Sequence, residues 1–132
     1  MIFFDQVVNI QPSKDIAIIF DDRLPPDVSQ VIVANCKSEK LVIKFSQNDQ
    51  SYLASINVRF GKTKMTSVGE SAIIDQLKTL PIAGFRINSC FLPGTPLSVS
   101  IDVFTYEVGR YTRVPIWLLK KDGALVVQFT QP

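Results

Sequence analysis

Apolar and polar residues alternate along most of this chain, with the period of extended strands rather than of helices. From Ser51 to Phe60, Tyr52, Ala54, Ile56, Val58 and Phe60 take one face, and Ser51, Leu53, Ser55, Asn57 and Arg59 take the other. Gly61 ends the run, which predicts a half-buried strand of an antiparallel sheet. The pattern returns from Leu97 to Val108. There Leu97, Val99, Ile101 and Val103 face one way, and Ser98, Ser100, Asp102, Phe104 and Tyr106 the other. The second set starts polar and turns aromatic, so its far end needs a cover; burial inside the domain is expected, through a bulge or a crossing into a second layer.

The clearest local signal is Val114 to Phe129, two apolar runs joined by Asp122-Gly123. That dipeptide suits a type I′ turn, whose two central residues both need positive φ. The turn sets Lys121 opposite Ala124, Lys120 opposite Leu125, Leu118 opposite Val127 and Ile116 opposite Phe129. Ile116, Leu118, Leu125, Val127 and Phe129 then share one face, while Trp117 and Leu119 join Gln128 and Thr130 on the other. A slip of one residue would scatter the apolar set, so pattern and turn agree.

Shorter runs at Phe3–Ile10, Ile16–Phe20, Gln30–Asn35, Lys40–Phe45 and Phe85–Phe91 read as further strands. Pro, Gly, Asn and Asp punctuate them at the spacing of a sandwich or barrel, with Lys37-Ser38-Glu39 as a hairpin loop. One stretch breaks the rhythm. Ser67-Val-Gly-Glu70 has the form of a capping box, and Ile73, Ile74, Leu77 and Leu80 recur at helical spacing before Pro81. The expected architecture is mainly β: one domain over residues 1–132, an antiparallel jelly-roll-like β-sandwich of about nine strands, with one short α-helix near residues 68–80 packed over an edge or end of the sheets.

Composition narrows the function. A net charge of +2 with 20% charged residues is too weak a basic excess for a typical nucleic-acid binder and too apolar a chain for a disordered tail. Up to Val58 there are five Lys/Arg against seven Asp/Glu, and from Arg59 onward nine against five, a mild asymmetry that could help dock an acidic partner. Cys36 and Cys90 flank apolar strand-like sequence and are expected as buried free thiols, or as a bridge if the compartment is oxidising. No stretch is long enough to span a bilayer. Met1-Ile-Phe-Phe-Asp5 lacks a basic leader and cleavage site, so synthesis in the cytoplasm without a secretion signal is expected, with a virion among the destinations.

The chain contains no histidine, which removes Ser-His-Asp and Cys-His catalysis and imidazole metal ligands. No phosphate-cradling glycine motif is present, and no cofactor, metal ligand or catalytic residue is assigned. Asp21, Asp22 and Asp27 share a Pro-rich loop where oxygen ligands for a hard cation could converge, but the spacing matches no EF-hand loop and adjacent carboxylates more simply cap or solvate a turn. Asp102 and Glu107 fall on opposite strand faces, a poor glycosidase pair.

Two basic stretches carry aromatics, Arg59–Lys64 and Tyr106–Arg113. If both lie at one end of the fold, Lys62, Lys64, Arg110, Tyr111 and Arg113 could track phosphates and stack bases of a single strand. The plainer reading is loop charge that blocks edge pairing.

The stronger hint is hydrophobicity on faces that should meet solvent. Phe3 and Phe4 point to opposite sides of one strand, and Leu53, Phe104, Tyr106, Trp117 and Leu119 lie opposite the better core faces. Two packed sheets can bury only one face each, so a further cover is implied. The expected function is therefore a non-enzymatic building block of a larger assembly, such as a virus or phage particle. Its partners would be copies of itself or other structural proteins, with Leu53, Phe104, Tyr106, Trp117 and Leu119 at the interface. The alternatives are a single-stranded nucleic-acid-binding module, or a carbohydrate- or peptide-binding sandwich using Trp117 or Tyr106 as a platform.

Overall fold

The computed structural model describes residues 5–18, 29–36, 39–90 and 98–130. In chain order the elements are β1 (Asp5–Ile10), β2 (Ile16–Ile18), β3 (Ser29–Cys36), β4 (Glu39–Gln47), β5 (Leu53–Phe60), β6 (Thr63–Lys64), α1 (Ser67–Leu77), β7 (Ile82–Ser89), β8 (Ser98–Glu107), β9 (Arg110–Lys121) and β10 (Ala124–Gln128). They form two five-stranded sheets, ordered β1-β3-β4-β5-β6 and β10-β9-β8-β7-β2. Ten strands stand where about nine were expected. The addition is β6, two residues long and too short to show a period. The pairing is not wholly antiparallel either, since β1 runs parallel to β3. The chain leaves the first sheet after β1 and turns back through β2 on the second, so it re-enters at β3 in its original direction.

The inner faces of the two sheets share one sandwich-like core. Ile32, Leu41, Ile43 and Phe45 come from the first sheet, and Phe85, Ile87, Val99, Val103 and Leu118 from the second. The Phe45 and Phe85 rings meet with centroids 5.1 Å apart. Each such side chain contributes about 1.5–3 kcal/mol on burial. Lys120 seals one end of this core, with its ammonium 4.6 Å from the Phe60 ring centroid and 3.7 Å from Glu39.

The β9–β10 hairpin has the register that its turn dictates, Lys121 opposite Ala124 through Leu118 opposite Val127. Asp122 and Gly123 both have positive φ, 52° and 80°. The ladder ends at Gln128 opposite Trp117, one pair short of the expected Ile116–Phe129, yet Phe129 still packs on the core.

Three expectations are corrected. In β5, Ser46 pairs with Ser55 and Gln47 with Leu53, so Ala54 is an extra residue that reverses the strand's parity. Leu53 therefore faces the core, 4% exposed, and Ala54 faces solvent. At the helix, the cap is Thr66 rather than Ser67: its Oγ1 accepts from the Gly69 amide at 3.0 Å. The helix stops at Leu77 and packs against β5 and β10, across the side of the sandwich. Finally, Cys36 and Cys90 are joined in a disulfide, with Cα atoms 5.6 Å apart, rather than carrying free thiols. The bond ties the end of β3 to the residue after β7, and so one sheet to the other.

No helix among the described residues is long and apolar enough to cross a membrane. Phe3, Phe4, Asp21, Asp22, Asp27 and the 92–96 loop lie outside the described residues.

Candidate functional site

Parity along β8 generates an outer sheet face that mixes apolar and charged residues. Val99, Ile101, Val103 and Thr105 point into the core, so Ser98, Ser100, Asp102, Phe104 and Tyr106 must point out. Cross-strand pairing sets Leu119, Trp117, Pro115, Arg113 and Tyr111 of β9 opposite them, in that order. On the other side Arg86 and Gly84 of β7 stand opposite Asp102 and Phe104, followed by Ile16 and Ile18 of β2. Pro115 is tolerated within β9 because the β9–β10 ladder ends at the Trp117–Gln128 pair and asks for no amide beyond it.

A charged cluster sits at the middle of this face. Asp102 is only 2% exposed although it lies on the outer side of a sheet. Arg86 Nη2 donates to its Oδ2 at 2.7 Å, and Arg113 Nη1 lies 3.7 Å from the same oxygen. Arg86 Nε also donates to Asn88 Oδ1 at 2.9 Å, Asn88 reaches Ser100 Oγ at 3.3 Å, and the guanidinium rests 5.4 Å from the Phe104 ring centroid. A carboxylate this deep is tolerable only because it is paired, since an unpaired buried charge costs several kcal/mol. Two guanidiniums against one carboxylate leave the cluster a surplus of +1.

Around it the surface is apolar. Phe104, Tyr106, Trp117 and Leu119 are half-buried, and Tyr106 packs edge-on to Tyr111 at 5.2 Å. Ile16, Ile18 and Tyr111 are 47%, 79% and 66% exposed. Four of the five residues expected at an interface thus share one face, and Leu53 does not. Phe104 and Tyr106, expected to be buried inside the domain, keep part of their surface in solvent.

The nucleic-acid set is split. Tyr111 and Arg113 lie on this face, with Arg110 beside them at the β8–β9 turn. Lys62 and Lys64 lie on the first sheet, at the end where Glu39 and Lys120 meet, which is the end away from that turn. Arg59 and Lys64 there border a depression of about 560 Å³ with Lys44, Asn57 and Glu70. Burial pushes the Glu70 carboxyl above its usual range.

Sequence reasoning passed over Arg86, Ile16 and Ile18. Arg86 did leave a trace, as the one cation inside the apolar run Phe85–Ile87. Chemically the face can bind: Asp102 is held by Arg86 at 2.7 Å, and Arg113 stands farther off, at 3.7 Å. Comparisons with protein-family models, with curated proteins and with solved structures yield no match.

Proposed function

We propose that this chain is a non-enzymatic building block of a larger assembly, of the kind that forms a virus or phage particle, and that copies of it associate through the outer face of the second sheet. The observation that carries this reading is the gathering of Phe104, Tyr106, Trp117 and Leu119 on one outer sheet face. Apolar surface gathered in this way around a charged centre is the kind of surface that marks an interaction site. The kinship with jelly-roll shell proteins is an analogy of two packed layers only, because β3 to β6 and β7 to β10 each follow one another within a single sheet.

Light scattering on the purified, oxidised protein tests the reading. A mass of several subunits is expected, falling towards one subunit in the Trp117→Ser, Leu119→Ser double variant with circular dichroism unchanged. A monodisperse monomer at high concentration, with no added partner, would sink it.

A further inference from the structure

At the β2 side of this face, sharing Phe104 with its aromatic part, lies a slot of about 320 Å³, lined by Ile16, Ile18, Ala83, Gly84, Phe104 and Tyr111. Its floor exists because of a local irregularity. Ile82 pairs with Thr105 and Gly84 with Phe104, so Ala83 is an extra residue, and the strand presents its two smallest side chains at the bulge. A Cβ at Gly84 would come within 2.7 Å of the Ala17 carbonyl oxygen, so glycine also lets β2 approach closely enough to form the wall. The rim is strongly apolar: Ile16, Ile18 and Tyr111 are three of the six most exposed large apolar residues among the described residues. The slot runs across the strands from β2 to β9, three inter-strand steps of about 4.8 Å, or roughly 14 Å in all. Along its flank Arg86 opposes Ile16, Arg113 opposes Phe104, and the one carboxylate between them is Asp102.

We infer that this slot binds a medium-length fatty acid, its acyl chain lying across the strands and its carboxylate against the Arg113 side of the cluster. The apolar length of the slot selects the body. The surplus positive charge beside it selects the sign of the head group, and Arg113, 59% exposed and beyond hydrogen-bonding distance of Asp102, is the cation positioned to receive it. The small volume and the transverse course favour a slender chain over a folded partner.

Titration calorimetry of the oxidised full chain with decanoate tests this, with decan-1-ol and decylamine as neutral and cationic counterparts. Decanoate should bind at least tenfold more tightly than either. Ile18→Asp, at an exposed site with no packing to lose, should weaken decanoate by about tenfold or more, whereas Val68→Asp on the helix should leave it unchanged. Arg113→Gln should remove the preference for decanoate over decan-1-ol. Equal binding of the three ligands, no binding of decanoate, or equal effects of Ile18→Asp and Val68→Asp would each overturn the assignment.

Discussion

Val108 is held in a conformation that its side chain resists, and relieving it should stabilise the protein measurably. Glu107 pairs with Arg110, leaving Val108-Gly109 as a two-residue hairpin loop with φ of 48° and 79°. Both values are left-handed, as in a type I′ turn, where Asn-Gly and Asp-Gly are preferred. Left-handed backbone costs an ordinary L-residue about 1–2 kcal/mol, and branching at Cβ places valine towards the upper part of that range. The side chain is 96% exposed, so nothing is lost from the core when it is replaced. Val108→Asn should therefore recover about 1 kcal/mol and raise Tm by about 3–5 °C for a chain of this size. Val108→Gly should gain less, because the unfolded chain also becomes more flexible. Val68→Asn is the control: residue 68 is 80% exposed in a helix, and the two residues have similar helix propensity. Differential scanning calorimetry on the oxidised proteins reads the outcome. If Val108→Asn melts at or below the parent temperature while Val68→Asn is unchanged, the strain argument fails.

Two further outcomes follow from the same structure. The Cys36–Cys90 bond closes a loop with a sequence separation of 54, for which chain entropy predicts about 4 kcal/mol of stabilisation. Reduction, or Cys36→Ser with Cys90→Ser, should lower the urea midpoint accordingly, and alkylation of both thiols in unreduced, denatured protein would show that no bond forms. Glu70 has its carboxyl pKa raised by burial from an ordinary 4.5, so its folded form favours the proton. Its contribution to stability is present below 4.5 and is lost as pH rises through the raised value. Glu70→Gln should consequently be more stable than the parent at neutral pH, with the difference closing below pH 4.5; a difference constant across that range would refute the cause given.

Much of the architecture is legible without coordinates where local geometry and burial agree. Asp122-Gly123 sets the β9–β10 register because positive φ at both positions admits few residues, and the alternation of β8 predicts its inward set because a strand has only two faces. The helix is visible from its 3.6-residue period, though its start is misplaced by one residue because Thr66 and Ser67 are both competent caps. Other features depend on pairings between distant segments. The bulge at Ala54 arises from β4 and β5 together, and it alone decides that Leu53 faces the core. The parallel course of β1 and β3 follows from β2 joining the opposite sheet, and the disulfide from the packing of the two sheets, which brings the end of β3 to the residue after β7. The candidate site belongs to this second group. Phe104, Trp117, Arg86 and Ile18 are scattered along the chain and become neighbours only across four strands. The sequence by itself determined which residues prefer to be extended and which faces are apolar, since those properties reside in single residues and their neighbours. Which of those faces meet each other, and which remains for a ligand or a partner, was decided by tertiary pairing, because hydrogen bonds between strands carry no record of the distance in sequence that they close.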